Sequence, residues 1–170
     1  VETAEGETKE MKFQNAIIAT GSHPTQVPGL SIDSPRVVDS TGALELPFNP
    51  KSMLVIGGGY IGLEMGSVYY ALGAEVTVVE MTPHLLPSAD RDLVQPLQKR
   101  LKGQFKEFKL KTKVQKLEDK GEHVEVTLED DKGNVTKENF EMVLMSIGRR
   151  PSSSGFGIEN TGVKVNDRGW

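Results

Sequence analysis

A run of three glycines between a strand-like and a helix-like segment constrains this chain more than any other feature. In VIGGGYIGLEMG, residues 55–66, Gly57, Gly59 and Gly62 have the spacing G-x-G-x-x-G. Glycine triplets arise by chance, so the meaning lies in what surrounds them. The turn follows the apolar run MLVIG and opens YIGLEMGSVYYALG, where Ile61, Met65, Val68, Tyr69 and Leu72 recur at the spacing of one helix face. Gly73 is expected to stop that helix. A second apolar run, EVTVVE, then ends on Glu80, 18 residues after Gly62. Strand, glycine turn, helix, strand and terminal acid together predict a Rossmann-like α/β unit.

Each position has a task in such a unit. Gly57 permits the tight turn, Gly59 lets the backbone approach a pyrophosphate, and Gly62 lets helix and strand pack closely. The free N–H groups and positive dipole end of the helix receive the phosphates. Glu80 is placed to accept from a ribose 2′-hydroxyl and to repel a 2′-phosphate, and Met81, Thr82 and Pro83 supply no arginine for one. The expected ligand is NAD rather than NADP. A plainer reading remains open, in which the glycines serve only a tight turn of another α/β protein and Glu80 is a solvated strand-end acid.

The rest of the chain extends this unit. Residues 1–20 read as two short strands, a polar VETAEGE and an apolar run closing MKFQNAIIAT. Five of the nine prolines fall between Ser22 and Pro50, which predicts a loop or crossover with at most a short helix near STGALEL. ADRDLVQPLQKRLKG reads as a second helix in spite of Pro96, capped by Asp90 or Ser88. KEFKLKTKV predicts a further parallel strand. VQKLED, HVEVTLED and a turn at Asp131, Lys132, Gly133 and Asn134 predict an antiparallel β-meander in place of a crossover helix, and MVLMSI a last buried strand. The fold class expected is a three-layer ββα arrangement: a parallel sheet with helices and an antiparallel meander crossover. The tail from Arg149 to Trp170 is polar and only weakly strand-like at GVKV.

Composition narrows the chemistry. Hydrophobic content of 36% and charged content of 26% are globular values, and the longest apolar runs are too short to span a membrane. The net charge of −4 is spread over mixed-sign clusters, so nucleic acid is not an expected partner. With no cysteine there is no disulfide framework, thiolate zinc site or cysteine nucleophile within these residues. His23, His84 and His123 read as surface residues. Tyr69 and Tyr70 have no lysine four positions on, and no phosphate-binding G-x-x-x-x-G-K-[ST] loop or H-E-x-x-H helix occurs. The start VETAEGETKEMKF lacks the regions of a signal peptide and an initiating methionine, which suggests a piece of a longer protein.

Four segments, in order and spacing, carry a resemblance: ATGSHP at 19–24, VVDSTGALEL at 37–46, MLVIGGGYIGLEMG at 53–66 and MSIGRRP at 145–151, followed by GIENTGVKVNDRG. They resemble the flavin-dependent disulfide reductases that bind two dinucleotides, and within them the dihydrolipoamide dehydrogenases, third components of 2-oxo-acid dehydrogenase complexes. STGAL, YIGLEMG and Glu80 carry the narrower likeness. The resemblance implies FAD and NAD as cofactors, with hydride passing between nicotinamide and flavin and dihydrolipoamide reoxidised through a cysteine pair. That pair, a histidine base and the FAD glycine turn fall outside these residues, so the 170 residues alone are not expected to turn over.

By the same likeness, residues 1–24 are strands of the FAD domain, 25–50 a crossover linker, 51–148 the NAD domain, and 149–170 the return to the FAD domain. Gly57, Gly58, Gly59, Tyr60, Ile61, Gly62, Leu63 and Glu64 would wrap the NAD pyrophosphate and reach the nicotinamide, with Glu64 near its carboxamide. Glu80 would take the adenosine ribose, Val114 and Gly148 would line the site, and Thr20, Gly21 and Ser22 would touch FAD. Glu64 reads equally as an acid favoured in a helix's first turn, and Arg149 and Arg150 as a surface pair. The implied partners are a lipoyl domain of an acyltransferase and a second copy joined through a C-terminal domain. The implied location is the cytoplasm, or the mitochondrial matrix in a eukaryotic source. Two other readings stay open: a sister reductase of the glutathione or mercuric type, and a stand-alone NAD-binding regulatory module.

Overall fold

A computed structural model describes residues 3–170. In chain order its elements are β1 (Ser22–Pro24), β2 (Val37–Asp39), α1 (Ser40–Leu44), β3 (Ser52–Ile56), α2 (Tyr60–Ala71), β4 (Glu75–Glu80), α3 (Arg91–Lys102), β5 (Glu107–Leu110), β6 (Lys113–Asp119), β7 (Val124–Glu129), β8 (Val135–Phe140), β9 (Met142–Met145) and β10 (Arg149–Pro151). The chain divides into two compact units, one made of residues 23–150 and the other of the two ends.

In the larger unit five strands form one sheet in the order β2-β9-β3-β4-β5, every pairing parallel. β3, β4 and β9 are apolar almost throughout because both faces of a parallel sheet are covered. Alternation along each strand decides which layer a side chain enters. Met53 and Val55 of β3, Val76 and Val78 of β4, and Met142 and Leu144 of β9 pack with Ala43, Leu63, Tyr69, Val94 and Leu101 of the helices. Leu54 and Ile56, Val79, and Val143 and Met145 face the meander β6-β7-β8, meeting Leu117, Val124, Val126, Leu128 and Phe140. This is the expected three-layer ββα arrangement. The hairpin turn after β7 falls at Asp131–Asn134 as expected, with Asp130 accepting from the Lys132 and Asn134 amides and Gly133 at φ +81°.

α2 corrects the sequence reading in one respect. Its buried positions are Gly62, Leu63, Gly66 and Tyr69, whereas Val68 and Leu72, assigned to the buried face by apolar spacing, are 42% and 46% exposed. The helix turns its glycines to the sheet so that it can lie close, and its larger apolar residues are displaced outward. Gly73 ends it as expected: at φ +101° it donates to the Tyr70 carbonyl, and Ala74 donates to Tyr69. Asp90 is the residue before α3, but its side chain makes no capping bond. Tyr69 is fully buried with its hydroxyl donating to the Ala43 carbonyl at 2.9 Å, and burial pushes its phenol above the usual range.

The proline-rich crossover holds more structure than expected. Val37–Asp39 joins the sheet as an edge strand beside β9, and Asp39 caps α1 by accepting from the amides of Thr41 and Gly42. In the smaller unit the two strands expected before residue 20 do not form among the described residues; Val1 and Glu2 of the first lie outside them. Residues 3–7 make a turn instead, and Ile17 is 95% exposed. A strand needs a hydrogen-bonding neighbour, and no ladder forms over residues 9–20. Thr20 and Gly21 are tied to the returning chain, where the Thr20 hydroxyl donates to the Ser152 carbonyl and the Ser152 amide to the Gly21 carbonyl. The weak strand expected at GVKV is likewise not formed.

Candidate functional site: the glycine turn at the switch point

The sheet order places the site. From β3 the chain moves outward to β4 and β5, then returns through the meander to β9 on the other side of β3. In an open parallel sheet the crevice beyond the carboxyl ends of two such strands is the place where ligands sit. Here β3 ends at Ile56 and β9 at Met145, so Gly57 and Ser146 face each other across that point.

The glycine turn is held from several sides. Gly57, at φ +107°, donates to the Val79 carbonyl at 2.8 Å, and a β-carbon there would lie 2.4 Å from the Ser146 carbonyl oxygen. The Ser146 hydroxyl donates to the carbonyls of Ile56 (2.9 Å) and Gly57 (3.3 Å). A β-carbon on Gly62 would meet the Gly57 carbonyl oxygen at 2.3 Å, Ser146 Oγ at 2.5 Å and Val55 at 2.8 Å. Gly59 differs from both. It begins α2 with φ −78° and ψ 177°, and a β-carbon there would meet nothing within 4 Å. The amides of the first turn of α2 have no carbonyl to receive them within the helix.

Glu80 closes the turn from below. Its carboxylate accepts from the Gly58 amide at 2.8 Å through one oxygen and from the Thr82 amide at 2.7 Å through the other. Each oxygen retains a further lone pair. A cleft of about 710 Å³ opens at this point, walled by the turn, the ends of β4 and β9, the start of β6 and part of the crossover. That volume is within the range of small-molecule and cofactor sites. Lys113 and Arg149 also line it. Lys113 is paired with Glu129 at 3.2 Å, and Arg149 donates to the Ser40 hydroxyl at 3.1 Å.

Of the residues singled out from sequence, Gly57, Gly59, Tyr60, Ile61, Glu80, Val114 and Gly148 are brought together as walls of this cleft. Gly58, Gly62 and Leu63 are buried beneath the turn rather than in the wall, and Glu64 is exposed on α2. Thr20, Gly21 and Ser22 belong to the smaller unit. Ser146, within MSIGRRP, is not marked by any sequence pattern, because its role depends on β9 lying beside β3. Sequence reasoning also missed Thr25, Val27 and Leu30, which topology alone carries to the cleft, and it read Arg149 as part of a surface pair, whereas Arg149 is half-buried in the cleft wall. His23 and His84 are exposed and His123 is half-buried; none lines the cleft. Among the described residues no cluster of histidine, aspartate and glutamate could hold a metal ion, and no helix is long and apolar enough to cross a membrane.

Parallel strands, a glycine turn at the switch point and a helix seated on it define a Rossmann-like FAD/NAD(P)-binding fold. A family model described as pyridine nucleotide-disulphide oxidoreductase matches residues 1–170, and the chain belongs to that family. Dihydrolipoyl dehydrogenase of Vibrio parahaemolyticus is 43% identical over 166 residues, covering 98% of this chain and 35% of that protein. Leghemoglobin reductase of Glycine max is 44% identical over 170 residues, covering 99% of this chain and 32% of that protein. Among solved structures, LpdA from Mycobacterium tuberculosis superposes with a TM-score of 0.81 at 28% identity, covering 98% of this chain and 36% of that one. The Escherichia coli flavoprotein disulfide reductase RclA does so with a TM-score of 0.74 at 31% identity, covering 89% and 34%. The chain spans about a third of the length of the curated relatives it matches.

Proposed function

We propose that residues 51–148 bind NAD(H) at the glycine turn, as the NAD domain of a flavin-dependent dihydrolipoamide dehydrogenase. The observation that carries this reading is the contrast within the turn: Gly57 and Gly62 have no room for a β-carbon, while Gly59 opens onto the cleft. The first two are explained by packing; a glycine facing open space at a helix N-terminus is explained by a ligand that comes close to the backbone. The pyrophosphate lies against Gly59 and the amides of Tyr60 and Ile61. The adenosine ribose lies at Glu80, whose tethered carboxylate favours a free 2′-hydroxyl over a 2′-phosphate. Val114 and Gly148 flank the ligand, and Glu64 lies near the carboxamide.

In the whole enzyme FAD contacts Thr20, Gly21 and Ser22 in a domain to which residues 1–24 and 149–170 belong, with 25–50 as the linker. Bound nicotinamide and flavin supply the hydride chemistry, while the residues here bind and orient. A lipoyl domain of an acyltransferase presents the dihydrolipoamide, a second copy completes a homodimer, and the enzyme works in the cytoplasm or, in a eukaryotic source, the mitochondrial matrix. The similarity to leghemoglobin reductase favours, as second reading, the same domain serving another electron acceptor.

The test is a calorimetric titration of the 170-residue chain with NADH, NADPH and FAD. Saturable NADH binding with NADPH at least about tenfold weaker, the cost of opposing one charge at close range, is expected. Equal affinity for the two cofactors, or none for NADH, would overturn the reading.

A further inference from the structure

The segment between β4 and α3 carries an expense that ordinary loop closure does not require. Leu86 sits at φ +48°, a conformation rare for a side-chain-bearing residue. Such residues persist where their surroundings over-determine them, and two sets of bonds do so here. On one side the Leu86 amide donates to the Gly58 carbonyl at 2.9 Å. On the other, Arg91, the first residue of α3, folds back over the loop. Its Nη1 donates to the Leu85 carbonyl at 3.0 Å, and its Nη2 to the carbonyls of Leu86 at 2.5 Å and Ala89 at 2.8 Å.

The loop in turn fixes the glycine turn. Leu85 is fully buried and lies against Gly58, where a β-carbon would meet its Cδ2 at 2.7 Å. Gly58 is therefore gripped at both ends of its peptide units: its amide by Glu80 and its carbonyl by Leu86. Met81, Thr82 and Pro87 from the same loop line the cleft. Three charge-assisted bonds from one guanidinium thus hold a strained loop against the residue next to Gly59.

We infer that Arg91 is a positioning residue for dinucleotide binding, acting through the loop 81–90 to set the height of Gly58 and the cleft wall beside Glu80; this rests on the NAD reading above. Without the guanidinium, Leu86 relaxes to negative φ, its amide leaves Gly58, and the turn is no longer preformed.

The test compares the wild-type chain with Arg91→Ala and Arg91→Lys by NADH titration and by native-state hydrogen exchange without ligand. For Arg91→Ala, NADH affinity falls about tenfold, and the amides of Gly58 and Leu86 lose at least about tenfold in protection. Those of Val126 and Leu128 in the meander keep theirs. Arg91→Lys, which keeps a donor at the loop, recovers part of both losses. A merely structural role would lower protection across the unit, meander included, and that result overturns the inference, as does unchanged protection at Gly58 and Leu86 or unchanged NADH affinity. Local loss of protection in a chain whose wild type binds no NADH would uphold the hold of Arg91 on the loop and overturn the NAD reading instead.

Discussion

Replacing Gly62 and Gly59 separately by alanine distinguishes a glycine that the fold requires from one that only the ligand requires. At Gly62 the new β-carbon meets a carbonyl oxygen at 2.3 Å, a hydroxyl at 2.5 Å and a methyl at 2.8 Å, two of them fixed by hydrogen bonds of the turn itself. No flexible side-chain end can swing away, so α2 must lift from β3 by roughly 1 Å, and overpacking of this kind costs about 3 kcal/mol at the upper end of its usual range. Alanine returns about 1 kcal/mol as a better helix former than glycine. The net loss is about 2 kcal/mol, which for a chain of this size lowers Tm by roughly 4–8 °C. At Gly59 the β-carbon meets nothing, and φ is negative. Alanine loses a few tenths of a kcal/mol as a poorer helix cap and regains a similar amount from a less flexible unfolded chain, so stability stays within about 0.5 kcal/mol. The methyl then stands where the pyrophosphate approaches, and NADH affinity falls at least about tenfold, as for a loss of one charge-assisted hydrogen bond. Urea unfolding and calorimetric titration read the two effects. A Gly62→Ala chain as stable as the wild type, or a Gly59→Ala chain that binds NADH normally, would refute the distinction.

Two further outcomes follow from the fold. Tyr69→Phe removes the buried bond to the Ala43 carbonyl, which still accepts from the Leu46 amide at 3.3 Å; a loss of about 1 kcal/mol in urea unfolding is expected, with NADH affinity unchanged. A change in affinity instead would mean that α1 reaches the cleft. Asp119 accepts from the Ser34 hydroxyl at 2.5 Å and from the Gly121 amide at 2.7 Å, which hold its carboxyl below the usual carboxylate range. Its folded pKa is depressed, so its contribution is complete above the unfolded value of about 3.9 and is lost as pH falls through the folded value. The stability gap between wild type and Asp119→Asn should therefore be constant near neutrality and close only below about pH 4. A gap that closes between pH 5 and 7 would assign the effect to another group.

Legibility in the sequence followed the range of the forces concerned. β3, β4 and β9 were readable because a strand covered on both faces must be apolar along its whole length. The meander was readable because Val124, Val126 and Leu128 alternate with polar residues. β2 was not: three residues in a proline-rich stretch carry no periodicity, and Val37–Asp39 becomes a strand only because β9 offers it an edge. Among the described residues, the two strands expected before residue 20 failed for the opposite reason, having strand-like stretches and no ladder over residues 9–20. Within the site, Gly57, Gly59, Gly62 and Glu80 announced themselves by spacing. Ser146, Arg91 and the loop at Leu85 and Leu86 act through contacts made across the sheet or back along the chain, which no local pattern records.

The misread face of α2 ties the fold to the site. Only Gly57, Gly58 and Gly59 lie between the end of β3 and the start of α2. A turn that short can reverse the chain only if the helix lies nearly on the strand. Gly62 at the level of Val55, and Gly66 against Val76 and Phe105, remove the side chains that would hold it off. Burying Val68 or Leu72 instead would turn larger residues to the sheet and push α2 outward, drawing its first amides away from the crevice between β3 and β9. The apolar surface left exposed at those two positions is therefore the cost of bringing a helix N-terminus to the switch point. It follows that filling the helix–sheet gap at Gly62 should weaken NADH binding as well as the fold, whereas a polar substitution at Val68 should weaken neither.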